Sequence, residues 1–198
     1  MQGRLDSRLS ARGREQAART GEVLSRLGVD HIFASPLGRV RETLALFAPH
    51  LTLEAVFDDR LVEWSAGDWS GRLYRDIKND TPDDYAAWQA DLYNVRSPGG
   101  ENFADLDVRA AAFFDDASLV AHERIAIVGH GFLNRALAGR LLRLSPDDTL
   151  AIRQDNDTIF RVVMNNGSAV ADHFAGGEGP FPGLTNGRPR HDRVTQTP

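Results

Sequence analysis

Two short segments contain residues that can bind an anion. The first is Ser35-Pro36-Leu37-Gly38-Arg39, which follows the apolar run 31–34. A helix that begins here would present free N–H groups and the positive end of its dipole to an anion, and the Arg39 guanidinium could bind two phosphate oxygens at once. Taken alone, the segment fits an ordinary helix start equally well, with Ser35 as its cap and Arg39 in solvent.

The second segment is Val128-Gly129-His130-Gly131, which ends the apolar run 125–128. Its two glycines allow a sharp turn and a close approach of the backbone to a ligand. A hydrolase elbow would need a nucleophile at position 131, which is a glycine, and a dinucleotide fingerprint would need glycine at position 134, which is an asparagine. A structural hydrogen bond by His130 and a role in anion binding both remain open.

Two carboxylates lie near turns that could place them in a site. Glu63 is followed by Trp64 and Trp69, and a carboxyl desolvated by such neighbours has a raised pKa, which suits a general acid. An exposed loop carboxylate is the simpler alternative. Glu101 follows Pro98-Gly99-Gly100 and is expected to open a helix, where a negative charge is favourable.

Strands and helices alternate along the chain, and this pattern predicts a three-layer α/β/α sandwich with a mostly parallel sheet and a C-terminal β-hairpin. In such sheets ligands bind at the carboxyl ends of the strands, where both segments lie. A disordered tail is expected over 176–198, which is rich in Gly, Pro, Arg and Thr. The predicted elements are a helix capped by Ser10 and stopped by Gly28, a strand over 31–34, a helix from Pro36 to about Pro49, an irregular stretch over 51–75, helices over 80–93, 103–121 and 132–144, a strand over 125–128, and a hairpin of 158–164 and 168–174 around Asn165-Asn166-Gly167.

The composition is that of a soluble globular protein. The chain has 198 residues, of which 41% are hydrophobic and 26% charged, and it is long enough for one domain with a full core. A net charge of −5 argues against a nucleic-acid partner, and the absence of cysteine excludes disulfides and thiolate catalysis. We expect a cytoplasmic protein, because residues 1–16 contain no apolar signal region and no run reaches membrane length. The sequence contains no indication of oligomeric state.

Taken together and in order, these segments resemble the histidine phosphatase superfamily, which includes the cofactor-dependent phosphoglycerate mutases. The similarity covers roughly residues 2–175. The matching segments are 2–17, similar to the stretch after the family's catalytic loop, 35–43, similar to its phosphate-pocket helix, 61–71, similar to its acid loop, and the motifs at 98–101 and 128–131.

The resemblance implies that a histidine nucleophile forms a phosphohistidine intermediate on a small phosphorylated substrate, with no metal and no cofactor. Arg39 would clamp the phosphate, His130 would stabilise its charge, and Glu63 would be the acid and base. The other substrate-binding residues implied are Ser35, Gly131, Gln2 and Gly3. A helical cap at about 65–100 would select the substrate, and its Gly-x-Trp-x-Gly and Pro-Gly-Gly-Glu segments favour a phosphatase over a mutase.

One departure from the family concerns the nucleophile. The family's first strand ends in Arg-His-Gly, and no such triplet occurs before residue 2; the pair Arg190-His191 lies in the polar tail. We therefore expect the sheet to lack its first, central strand, which would leave backbone groups of its neighbours unpaired. We favour the hypothesis that Met1 follows a strand and loop of roughly 10 to 20 residues. The alternative is a pseudoenzyme that binds phosphate without turnover.

Overall fold

The computed structural model describes residues 1–116, 119, 121–165 and 168–185. It contains seven α-helices and six strands in this part of the chain, together with short 3-10 helices that include Asp59–Leu61 and Gly67–Trp69. The helices are α1 Ala11–Arg26, α2 Gly38–Ala45, α3 Tyr74–Asp80, α4 Pro82–Ala90, α5 Phe103–Phe114, α6 Gly131–Leu142 and α7 Pro146–Ala151. The strands are β1 His31–Ala34, β2 Ala55–Phe57, β3 Ile125–Val128, β4 Thr158–Asn165, β5 Ser168–Ala175 and β6 Glu178–Pro182.

The first sheet is parallel, has the order β2-β1-β3 and is covered by helices on both faces. Successive side chains of a strand point to opposite faces. Phe33 of β1 therefore packs with residues of α5 and α6, whereas Ile32 and Ala34 pack with residues of α1 and α2. The predicted α/β architecture with a parallel sheet is confirmed.

Most helices begin where the sequence predicts, and their ends differ for local reasons. Ser10 caps α1 as predicted, with its side chain accepting a hydrogen bond from Gly13 N–H. The helix expected over 80–93 is α4, preceded by the separate helix α3, because the residue before Pro82 is disfavoured in helical geometry. The predicted helix over 103–121 ends at Phe114, where Asp115 and Asp116 would meet the negative end of the helix dipole.

The C-terminal strands form a second sheet, which is antiparallel and has the order β4-β5-β6. β4 and β5 are the two arms of the predicted hairpin, whose turn at 166–167 lies outside the described residues. The predicted start of the disordered tail at Gly176 is too early, because residues 178–182 form β6 against β5. Residues 186–198 of that tail lie outside the described part of the chain.

A cavity of about 1640 Å³ separates the two sheets. The edge of β3 that faces away from β1 and the edge of β4 that faces away from β5 have no strand partner among the described strands. Both edges line the cavity, together with residues of α1 and α6. None of the described helices is long and apolar enough to cross a membrane.

Candidate functional site

The two anion-binding segments meet because β1 and β3 are adjacent and parallel. Ala34 is in register with Val128, so the residues that follow the two strands are neighbours. His130 Nε2 lies 2.8 Å from Ser35 Oγ, and Ser35 N–H donates to the Val128 carbonyl at 3.0 Å. The predicted closeness of these two strand ends follows from the parallel register.

His130 is held as a neutral imidazole. Burial, followed by the positive charges of Arg39 and Arg109, lowers its pKa to about 3, although Asp6 opposes this. A neutral imidazole has one N–H donor and one acceptor nitrogen. Of these two ring nitrogens, Nε2 is the one paired with Ser35 Oγ.

Arg39 lies in the first turn of α2, as predicted, and its guanidinium turns towards residues 3–6. Nη2 donates to the Gly3 carbonyl at 3.0 Å, and Nη1 donates to the Leu5 carbonyl at 2.7 Å. Nη1 also lies 3.4 Å from Asp6 Oδ1. These contacts orient the guanidinium next to Glu63 and His130, whose pKa values both respond to its charge.

The anion at the start of α2 is a side chain of the protein itself. Asp6 accepts hydrogen bonds from Gly38 N–H at 2.6 Å and from Arg39 N–H at 3.0 Å. Burial alone would raise the pKa of Asp6, but these bonds and the Arg39 charge lower it overall. The N–H groups predicted to face an anion therefore bind the Asp6 carboxylate in the structure.

Glu63 occupies the corresponding position at the start of α6. One carboxylate oxygen accepts from Trp64 N–H at 2.9 Å, and the backbone N–H groups of Phe132 and Leu133 also bond to the carboxylate. Burial raises the pKa of Glu63, and these hydrogen bonds with the Arg39 charge oppose the rise only in part. Glu63 therefore keeps a proton to a higher pH than an exposed glutamate does, as a general acid requires.

The predicted site residues divide into those that line the cavity and one that does not. The lining residues are Arg39, Glu63, His130, Gly131, Gln2 and Gly3. A Cβ added at Gly131 would meet no heavy atom within 4 Å, so this position opens into the cavity. Ser35 is 0% exposed and is not one of the described residues that line the cavity; its hydroxyl contacts His130.

Sequence reasoning missed Arg109 and assigned Glu101 a different place. Glu101 does not open a helix, because Asn102 is the N-cap of α5. Its carboxylate instead pairs with Arg109, whose guanidinium contacts the backbone of the Glu63 loop. No local pattern marks Arg109, since its partners lie up to 49 residues earlier in the chain.

The part of the chain that the structure describes contains no group of three or more His, Asp or Glu side chains placed to hold a metal ion.

Comparison with known proteins points to one family. The sequence model described as the histidine phosphatase superfamily (branch 1) matches residues 1–175. Phosphoserine phosphatase 1 of Hydrogenobacter thermophilus is 33% identical over 142 residues, which cover 71% of this chain and 67% of that protein. The probable phosphoglycerate mutase GpmB of Enterobacter sp. (strain 638) is 32% identical over 167 residues, which cover 82% of this chain and 76% of that protein.

Solved structures of phosphatases share the fold. The mycobacterial glucosyl-3-phosphoglycerate phosphatase in complex with inorganic phosphate superposes with a TM-score of 0.75 at 30% identity, over 87% of this chain and 89% of the other. The alpha-ribazole phosphatase of Shigella flexneri has a TM-score of 0.78 at 26% identity, over 85% of this chain and 84% of the other.

Proposed function

Because the chain belongs to the histidine phosphatase superfamily, we propose that it is a phosphomonoester phosphatase that acts through a phosphohistidine intermediate. The observation that carries the proposal is that Arg39, Glu63 and His130 all line the cavity and that the Arg39 charge acts on both of the other groups. These residues come from three distant parts of the chain and supply a cation, a proton donor and a neutral imidazole. This is the set that phosphoryl transfer to and from a nucleophile requires.

Each group has a role that follows from its environment. Arg39 binds equatorial oxygens of the phosphoryl group, since a guanidinium has five N–H donors and only some of them contact Gly3, Leu5 and Asp6. His130 donates its single N–H to another oxygen. Its pKa rises when the phosphate dianion is beside it.

Glu63 moves the proton in both halves of the reaction. When the nucleophilic nitrogen bonds to phosphorus, the bond from phosphorus to the leaving oxygen breaks, and protonated Glu63 gives that oxygen its proton. A water molecule then attacks phosphorus, Glu63 takes the proton of that water, and the phosphorus–nitrogen bond breaks. The raised pKa of Glu63 suits both steps, because the carboxyl must be an acid first and a base second.

We place the nucleophilic histidine on an added strand between β3 and β4. Two strand edges face the cavity, and an edge with unpaired N–H and C=O groups is a template for another strand. A strand of five to six residues is roughly 17 to 20 Å long. One that runs parallel to β3 would end beside His130. Met1 and Gln2 also line the cavity, so a segment joined to Met1 could enter it.

We assign the choice of substrate to the segment at about 65–100. Tyr74 and residues 89–94 of this segment line the same cavity as Arg39 and His130. Relatives named for phosphoserine, glucosyl-3-phosphoglycerate and alpha-ribazole phosphate chemistry support a small phosphorylated substrate. They differ in the alcohol and share the phosphate, as expected if the alcohol is bound by a segment separate from the residues that bind the phosphate.

The test compares the chain with a version that has an apolar strand ending in Arg-His-Gly fused before Met1 through a short linker. We expect the fusion to hydrolyse p-nitrophenyl phosphate in the presence of EDTA and to retain acid-labile phosphate after quenching at alkaline pH. The matched control carries Arg-Ala-Gly and should be inactive. His130→Ala and Glu63→Gln in the active fusion should each lower kcat by about 10²-fold or more.

Two other functions are outcomes of the same experiment. A fusion that interconverts 2- and 3-phosphoglycerate faster than it releases phosphate is a mutase, as the similarity to GpmB relatives would allow. A folded fusion that binds inorganic phosphate and hydrolyses nothing is a non-catalytic phosphate-binding protein. Full activity of the His130→Ala fusion would refute the role given to His130.

A further inference from the structure

Arg109 of α5 makes a set of hydrogen bonds to the loop that carries Glu63. Its Nη1 donates to the carbonyls of Arg60 at 2.9 Å and Val62 at 2.8 Å, and its Nη2 reaches the Glu63 carbonyl at 3.4 Å. Partly buried loop carbonyls need such donors, because they have no partner in a helix or sheet. One guanidinium thus holds the backbone on the N-terminal side of the Glu63 side chain and at Glu63 itself.

Glu101 holds the other side of the same loop. Its Oε2 accepts from Ser65 N–H at 2.8 Å and from Arg109 Nη2 at 3.1 Å, while Oε1 lies 3.1 Å from Arg109 Nε. The side chains of Arg109 and Glu101 are only 18% and 19% exposed. An ion pair at this depth is poorly screened by solvent.

Arg4 also contacts this pair and the Glu63 backbone. Its Nη2 lies 3.2 Å from Glu101 Oε1, and its Nε donates to the Glu63 carbonyl at 3.1 Å. The Glu63 carbonyl therefore has two arginine donors, and Glu101 balances the charge of both. The Glu63 carboxylate itself accepts hydrogen bonds from the backbone N–H groups of Phe132 and Leu133 at the start of α6.

We infer that the Glu101–Arg109 ion pair positions the Glu63 carboxyl at the reacting phosphate by fixing the backbone from residue 60 to residue 65. The inference rests on the acid and base role proposed for Glu63. Neither Glu101 nor Arg109 touches the substrate. They are positioning residues that act through the loop. The turn Pro98-Gly99-Gly100 directly precedes Glu101 and places it beside this loop.

Arg109→Lys is the sharpest test, because lysine keeps the positive charge and loses the planar fork that reaches several carbonyls. Any fall in the pKa of Glu63 then reports release of the loop and not loss of charge. We expect this pKa, followed by carbon-13 NMR of the Glu63 carboxyl in the unfused chain, to fall towards the ordinary glutamate value. The control is Arg140→Gln, which breaks the ion pair between Arg140 of α6 and Asp107 of α5, the helix that carries Arg109, and should leave the pKa of Glu63 unchanged.

A second readout uses the leaving group in the active fusion. An alkyl phosphate such as phosphoserine needs protonation of its leaving oxygen far more than p-nitrophenyl phosphate does. Arg109→Lys should therefore lower the ratio of kcat for phosphoserine to kcat for p-nitrophenyl phosphate by about tenfold. A defect in folding alone would lower both rates together.

The outcomes separate this inference from the proposed function. An unchanged Glu63 pKa in Arg109→Lys overturns the inference, whatever the activity of the fusion. A lowered pKa supports it even if the fusion hydrolyses nothing, because the titration needs no turnover. If circular dichroism shows that Arg109→Lys is unfolded, Glu101→Asp is titrated and judged by the same criterion, because aspartate keeps the negative charge and shortens the reach to Ser65 N–H and to Arg109.

Discussion

Replacing Gly67 by alanine tests how tightly the loop that carries Glu63 is packed against the turn that precedes Glu101. Gly67 has a φ of +53°, and a Cβ added there would lie 2.5 Å from the carbonyl carbon of Gly99 and closer still to the carbonyl oxygen of Pro98 and the N–H of Gly100. The two backbones are also joined by a hydrogen bond from Asp68 N–H to the Pro98 carbonyl at 2.8 Å. No flexible side-chain end is available to move aside.

The expected cost has two parts. A non-glycine residue in the left-handed region costs roughly 1–2 kcal/mol. Overpacking against fixed neighbours adds about 1–3 kcal/mol. Gly67→Ala should therefore lower the free energy of unfolding by about 2–5 kcal/mol, before a gain of about 0.4–1 kcal/mol from the stiffer unfolded chain.

Gly176→Ala is the matched control, because Gly176 has a φ of +62° and a Cβ there would meet nothing within 4 Å. It carries the backbone cost and the unfolded-state gain without the clash. Urea unfolding followed by circular dichroism should show Gly67→Ala to be less stable than Gly176→Ala by about 1–3 kcal/mol. Equal losses in the two variants would refute the close packing of the 67 and 98–100 backbones.

Two further predictions concern the cavity wall. The pKa of His130 is lowered to about 3 in the folded protein, from an ordinary 6.5. As the pH falls, the unfolded chain therefore binds this proton before the folded protein does. The free energy of unfolding should be unaffected by His130 above about pH 6.5 and should decrease from there towards pH 3. Proton NMR of the His130 ring should show no titration between pH 8 and pH 4, and a midpoint near 6 would contradict the burial found here. Gly131→Ala should change the free energy of unfolding by no more than about 0.5 kcal/mol, since its Cβ enters open space, yet weaken binding of inorganic phosphate measured by calorimetry. Unchanged affinity would place the phosphate away from Gly131.

Several features could be predicted from the sequence because they depend on neighbours in the chain. The apolar runs that became β1 and β3, the Ser10 cap of α1 and the hairpin of β4 and β5 all follow from local pattern. The closeness of Ser35 and His130 also follows, since parallel strands bring their carboxyl ends to one edge of the sheet.

Other features depend on which distant residue reaches a given hydrogen-bonding group. The N–H groups at the start of α2 can bind any anion. From the sequence alone, that anion can be the phosphate of a ligand or an acidic side chain of the protein itself. Only the tertiary path of residues 3–6 brings Asp6 there, 32 positions away from Gly38. In the proposed function, phosphate binding is therefore assigned to the Arg39 side chain, because the Asp6 carboxylate already bonds to the helix start.

By itself, the sequence determined the α/β order of elements, the family and the residue types that could act on phosphate. The tertiary structure alone decided that Glu63 is held between the start of α6 and the Glu101–Arg109 pair, and that β3 and β4 face each other across a cavity. The physical reason is the separation along the chain between the groups that interact. Helix and strand patterns arise from contacts a few residues apart, whereas desolvation, charge pairing and strand-edge geometry arise from groups separated by up to about half the chain, whose meeting no local pattern records.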